Sequence, residues 1–170
     1  MLFSKKRLGL LFLLSGCLSA AFADVKITSP NGQLEVNVSI DKKGSQEYGT
    51  PVFTLRKQVK GNYQNVLVNA QMGLTTSQQD FRSLKWGEVG KSKKNKIDYT
   101  LLEGKQTHST KTETEQTINF VNANQQVLSV VFKLANDGLA FRYQIKTSQD
   151  EKILKDLTVY PIAEGTKRWI

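Results

Sequence analysis

The fold is decided by residues 127–145, VLSVVFKLANDGLAFRYQI, because two strand-like patterns here flank a short turn. The Asn-Asp-Gly sequence at 136–138 tolerates the positive φ angles that tight hairpin turns require. After the turn, the apolar residues Phe141, Tyr143 and Ile145 fall at every second position, which is the period of a half-buried strand. The stretch therefore predicts an antiparallel hairpin.

The same alternation of polar and apolar residues recurs along the rest of the chain. It is clearest at 34–40, where Leu34, Val36, Val38 and Ile40 alternate with polar residues between turn-forming sequences at either end. The threonine-rich stretch 107–117 is typical of an exposed strand, because threonine is β-branched. Together with these, the full set of predicted strands is 34–40, 52–59, 66–68, 97–101, 118–121, 127–134 and 139–145.

The pattern predicts an all-β protein. No segment shows the i, i+3, i+4 apolar spacing over about 11 residues that indicates a long helix. Residues 151–157 are expected to form one or two helical turns, and the lysine-rich run 91–96 a solvated loop. Short strands without crossover helices favour antiparallel sheets packed face to face, so the predicted fold is an antiparallel β-sandwich.

Composition is that of one globular domain. The chain has 170 residues, of which 39% are hydrophobic and 23% charged. The net charge is +9, but three basic residues precede residue 24, and from there on 21 basic residues stand against 15 acidic ones. The densest basic run, 91–96, carries no aromatic residue of the kind that reads nucleic acids, so no nucleic-acid partner is predicted.

The N-terminus has the pattern of a signal peptide over residues 1–23. Three basic residues precede the apolar run 8–14, and Ala21-Phe22-Ala23 before Asp24 is a small-x-small cleavage site. The apolar run is too short to span a membrane. We expect an exported protein, periplasmic or outer-membrane-associated in a Gram-negative bacterium, with a mature domain of residues 24–170.

Cys17 leaves a second processing route open. Leu14-Ser15-Gly16-Cys17 matches the bacterial lipoprotein pattern, in which the cysteine becomes the lipidated first residue. A membrane partner is expected only if Cys17 is lipidated. On either route no cysteine remains for a disulfide, because this is the single cysteine of the chain.

No residue pattern points to catalysis or metal binding. His108 is the single histidine, it lies in a polar run, and no G-x-S-x-G nucleophile motif is present. No catalytic, cofactor-binding or metal-binding residue is therefore selected. Trp86 and Trp169 are candidate sugar-stacking residues, with packing in the core as the alternative for Trp86.

Three segments together resemble the N-terminal domain of glycoside hydrolase family 97, a family of bacterial exported α-glucosidases and α-galactosidases. The first segment is Ile27-Thr28-Ser29-Pro30-Asn31-Gly32 with the strand after it, and the last is Trp169-Ile170. The most specific is 132–143, which includes Ala135-Asn136-Asp137-Gly138-Leu139-Ala140-Phe141-Arg142-Tyr143. Weaker similarity lies at 72–74, 80–81 and 99–105, while 107–116 departs from the family pattern.

The resemblance implies a galactose-mutarotase-like super-sandwich that lies against a (β/α)₈ barrel. In the family the barrel holds most of the active site, and the glutamate that this domain lends to calcium follows the Trp-Ile signature. No family site residue therefore falls on a position of this chain, so no cofactor is expected in it, although full-length members bind calcium. We expect a sandwich incomplete at its C-terminus and not an enzyme by itself, with α-linked glycans as partners.

Two alternatives to such a non-catalytic enzyme domain stay open. One is a stand-alone periplasmic carbohydrate-binding module, for which the two tryptophans would supply stacking surfaces. The other is an envelope-interaction protein that uses its basic surface. Sequence alone assigns neither a preferred sugar nor an oligomeric state.

Overall fold

The structure is a computed structural model that describes residues 24–102, 107–147 and 150–162. Cys17 and Trp169 lie outside the described residues. Within them no helix is found that is long and apolar enough to cross a membrane.

The described residues form strands joined by turns and loops. The strands are β1 (Val25–Thr28), β2 (Leu34–Asp41), β3 (Thr50–Val59), β4 (Asn62–Gln71), β5 (Leu74–Thr76), β6 (Lys85–Val89), β7 (Lys93–Thr100), β8 (His108–Val121), β9 (Val127–Ala135), β10 (Leu139–Ile145) and β11 (Ile153–Asp156).

The strands form two main sheets and one small one. The first sheet has the order β1-β2-β3-β4, and the second has the order β10-β9-β8-β6, with β7 also paired to β8. The small sheet joins β11 to β5. Every pairing between these strands is antiparallel. The predicted antiparallel β-sandwich is therefore confirmed.

The two main sheets overlap only in part. Strand β1 lies against β8 and β2 against β9. Phe53 of β3 makes edge-on ring contacts with Phe132 of β9 and Phe141 of β10, at centroid distances of 6.2 and 5.5 Å. Beyond this overlap, β4 extends past one end and β7 past the other, and most of their side chains are exposed.

The core fills the overlap and follows the alternation predicted from the sequence. Val36 and Val38 of β2 and Phe120 of β8 are fully buried, at 0% exposure. Burying one such side chain contributes about 1.5–3 kcal/mol. The largest fully buried side chains are Ile27, Val36, Val38, Phe53, Met72, Phe81, Leu84, Ile118, Phe120, Leu128, Phe132 and Leu134.

The hairpin predicted from 127–145 is present as β9 and β10. Leu139 lies opposite Leu134, and the N–H of Ala135 donates to the carbonyl of Gly138 at 2.9 Å. Residues 136–138, however, have no positive φ. Positive values occur instead in the β3–β4 hairpin, at Lys60 (φ 51°) and Gly61 (φ 85°), as a two-residue turn between antiparallel strands requires.

Two local predictions are wrong. Within 151–157, residues 153–156 form strand β11 rather than helical turns, because they pair with β5. The lysine run 91–96 is not only a loop, since β7 begins at Lys93 and pairs with β8. Exposed lysines are compatible with an edge strand, where they prevent further pairing.

Candidate functional site

Trp86 lies half-buried on β6. It is paired with Phe120 of β8, and the two rings stack at 5.3 Å with an interplanar angle of 29°. One face of the indole therefore packs on the core. Sugar stacking on its other face stays a prediction, as does the role of Trp169, which lies outside the described residues.

The acidic residues that alternate on β8 are held by a lysine. Lys133 of β9 lies 2.7 Å from Glu113 and 3.2 Å from Glu115. The hydrogen bond to Glu113 is the main reason why the pKa of Lys133 is raised. His108, at the start of β8, is exposed and pairs with Thr100.

Within 24–102, 107–147 and 150–162, no three histidine, cysteine, aspartate or glutamate side chains lie close enough together to hold a metal ion.

An apolar groove runs along the open side of the sandwich, between the edge strands β4 and β10. Its volume is about 280 Å³, and its lining includes Phe53, Leu67, Phe141 and Tyr160. Tyr160, from the last described segment, is 52% exposed. We call this surface the open-side groove.

A second, polar cavity of about 470 Å³ lies where four segments of the chain meet. Thr50 at the start of β3, Gln71 at the end of β4 and Arg82 contribute to it, together with residues 155–159. Backbone pairing positions these segments, because Gln71 and Val159 exchange hydrogen bonds of 3.0 and 3.1 Å. We call it the polar cavity.

A hydrogen-bond network holds one wall of the polar cavity. The Oδ1 atom of Asp156 accepts from the N–H of Thr158 at 2.9 Å and from its Oγ1 at 2.6 Å. The Thr158 hydroxyl lies 2.7 Å from that of Tyr143, which also accepts from the N–H of Gly73 at 3.0 Å. Burial is the main reason why the pKa of Tyr143 is raised.

Arg82, which lines the cavity, forms an ion pair with Asp80 outside it. The Nε of Arg82 donates to both carboxylate oxygens of Asp80, at 3.0 and 2.8 Å, and Nη2 donates to Oδ2 at 2.5 Å. The hydrogen bond from Arg82 is the main reason why the pKa of Asp80 is lowered. Arg82 also lines two neighbouring depressions, so the three spaces share this side chain.

Sequence analysis did not find these cavity residues. Gln71, Arg82 and Asp156 belong to no motif, and they are brought together by the pairing of β11 with β5 and of Val159 with Gln71. The one sequence feature near the cavity was the weak similarity to the family at 80–81, next to Arg82. That similarity does not by itself indicate a chemical role.

The fold places the protein in the class of antiparallel β-sandwich domains. The chain belongs to the glycosyl-hydrolase 97 N-terminal family, whose model matches residues 27–170. This confirms the family resemblance seen in the sequence. No curated protein matches the chain.

Solved structures share the fold at low sequence identity. A β-arabinopyranosidase matches with a TM-score of 0.69 at 21% identity, covering 82% of this chain and 21% of its own. Two structures of a family 97 enzyme from Pseudoalteromonas sp. strain K8, one of a variant with panose and one with acarbose, each match with a TM-score of 0.67 at 22% identity. Each covers 82% of this chain, which spans 20% of the enzyme.

Proposed function

We propose that the chain is the non-catalytic N-terminal sandwich of an exported glycoside hydrolase of the α-glucosidase or α-galactosidase type, inactive by itself. The family match over 27–170 supports this assignment. The lengths of the similar structures also support it, because the chain spans only about a fifth of the length of each enzyme that shares its fold.

The open-side groove is the observation that carries the proposal. Its walls come from both sheets, with Leu67 of β4 facing Leu139 and Phe141 of β10, and Tyr160, which also lines it, is 52% exposed. A contiguous apolar surface of this kind marks a site of interaction, because exposing it to water is unfavourable. In the proposed full-length protein, this surface is covered by further chain that includes the (β/α)₈ barrel.

The ligand class follows from the relatives. The Pseudoalteromonas enzyme was solved with panose and with acarbose, which are oligosaccharides or oligosaccharide-like. Family membership supports α-linked glycans as the substrates of the proposed full-length protein. The sandwich contributes to that function without supplying catalytic groups.

Export is proposed from the leader at residues 1–23. Mass spectrometry of the mature protein tests it. A first residue at Asp24 supports release of a soluble form, and a lipidated Cys17 supports membrane attachment. An intact Met1 on protein from the host bacterium contradicts export.

Hydrolysis assays test the non-catalytic role. The purified chain is incubated with aryl α-glucoside and aryl α-galactoside, with a known α-glucosidase as the positive control. We expect no turnover. Hydrolytic activity that co-elutes with the chain through a second column contradicts the proposal.

A further inference from the structure

We infer that the surface around Arg82 binds a neutral oligosaccharide, with one sugar unit in the polar cavity and the others along the adjoining depressions. This inference rests on the proposed carbohydrate-related function. It names a binding site in the sandwich itself, separate from any site on a barrel.

Size favours an oligosaccharide over a single small ion. The polar cavity has a volume of about 470 Å³, within the range of about 300–1,000 Å³ that ligand sites occupy. The adjoining depressions carry amide and hydroxyl groups, including those of Thr76, Gln79 and Asn124. Arg82 lines the cavity and both depressions, so a ligand bound in the cavity can extend to these polar groups.

Charge favours a neutral ligand over an anion. Arg82 is paired with Asp80, and the cavity that contains Lys155 also contains Asp156. The cations at the site are therefore balanced by carboxylates. A polyhydroxylated ligand suits such a surface, because each hydroxyl both donates and accepts hydrogen bonds.

Hydrogen-bonding capacity is left free on both walls. Among the described residues, Arg82 Nη1, Asp156 Oδ2 and the Gln71 side-chain amide make no hydrogen bond, although their residues line the cavity. Planar groups of this kind can engage two adjacent sugar hydroxyls at once. Met72 and Leu157 supply apolar wall for the C–H faces of a sugar ring.

Two of the three groups, those of Arg82 and Asp156, are held in place before a ligand arrives. Asp80 fixes the guanidinium of Arg82, and Thr158 fixes the carboxylate of Asp156 through two hydrogen bonds. Because these side chains lose little further freedom on binding, the site avoids much of the ordering cost of recognition.

Titration of the ¹⁵N-labelled chain with maltotriose, followed by NMR, tests the inference. We expect saturable shifts at millimolar ligand in the amides of 71–73, 80–83 and 155–159. Gln71→Ala and Asp156→Asn should each weaken binding about tenfold, which is about 1.4 kcal/mol. Arg142→Ala, at an exposed arginine on β10, is the matched control and should bind like the wild type.

Three outcomes overturn the inference: no shifts at 20 mM maltotriose, shifts centred on another surface such as Trp86, or equal binding by a trigalacturonate. Retained spectra of each variant show that it has folded. These failures differ from failure of the proposed function, which is detected by hydrolytic turnover. Binding at Trp86 would leave the carbohydrate-related role intact while excluding the Arg82 site.

Discussion

The overlapped part of the sandwich and its overhanging strands carry the same residues in different environments. Val36 and Val38 on β2 are 0% exposed, whereas Val66 and Val68 on β4 are 49% and 46% exposed. Both pairs have the spacing of a strand face. The difference arises because Val36 and Val38 face the second sheet, whereas Val66 and Val68 flank the inward-facing Leu67 and lie on the outer face of the first sheet. Burial is therefore set by what lies opposite a strand face rather than by its own pattern.

The largest effect is expected from truncating a ring inside the overlap. Phe132 is 0% exposed, and Phe141 lies directly opposite it on β10 but is only half-buried. Phe132→Ala should destabilise the fold by about 3–5 kcal/mol, because it leaves a cavity among packed side chains. Phe141→Ala is the matched comparison and should cost less, about 1–3 kcal/mol, because its site is partly open. Urea denaturation measures both.

Equal losses of unfolding free energy in the two variants would show that the site of Phe141 is packed as closely as the interior. A larger loss for Phe141→Ala in a longer protein than in this chain would show that further chain covers the groove. The same pair of variants therefore tests both the packing and the proposed docking.

A smaller but substantial effect is expected where the two sheets are joined. Gly49, just before β3, exchanges backbone hydrogen bonds of 2.9 and 2.7 Å with Leu84, just before β6. A Cβ at Gly49 would lie 2.2 Å from the carbonyl oxygen of Asp41. Gly49→Ala should therefore destabilise the protein by about 2–3 kcal/mol in thermal or urea unfolding, as overpacking does.

Gly61→Ala is the control for Gly49→Ala. Gly61 lies at the tip of the β3–β4 hairpin, with open space around the added Cβ but φ at +85°. Its cost should be about 1 kcal/mol, from backbone strain alone. A smaller loss at Gly49 than at Gly61 would contradict the close approach of the chain at Gly49.

The sequence was informative where burial alternates and uninformative where distant segments meet. The alternation at 34–40 and 127–145 predicted β2, β9 and β10 because each strand has one buried face. Strand β11 was missed because all four of its residues are exposed, and its pairing with β5 leaves no periodic signal. The polar cavity was missed for the same reason, since Gln71, Arg82 and Asp156 are neighbours only in the folded chain.

Tyr143 gives a pH-dependent test beside the polar cavity. Tyr143→Phe removes the hydrogen bonds to Gly73 and Thr158 and should cost about 1 kcal/mol at neutral pH. Because burial raises the pKa of Tyr143 in the folded state, its contribution is complete below about pH 10 and is lost as the pH rises through the folded pKa.

The difference in unfolding free energy between wild type and Tyr143→Phe should therefore be constant from pH 6 to 9 and shrink above about pH 10. Urea unfolding at a series of pH values measures it. Comparing the two proteins at each pH removes the effect of lysines that titrate in the same range. A difference that grows with pH would show that the folded state favours the tyrosinate.

The smallest effect on stability is expected at Tyr160. Its substitution is expected to change dye binding instead. Tyr160→Ser removes a 52% exposed ring from the open-side groove, so thermal stability should change little. Binding of a fluorescent apolar dye should fall, because the ring forms part of the groove. Tyr99→Ser is the matched control, since this 43% exposed tyrosine lies on β7 at the other overhang. Equal loss of dye binding in both variants would show that the dye binds around Tyr99 on β7 as well as it binds the groove, which would contradict the groove as the docking surface.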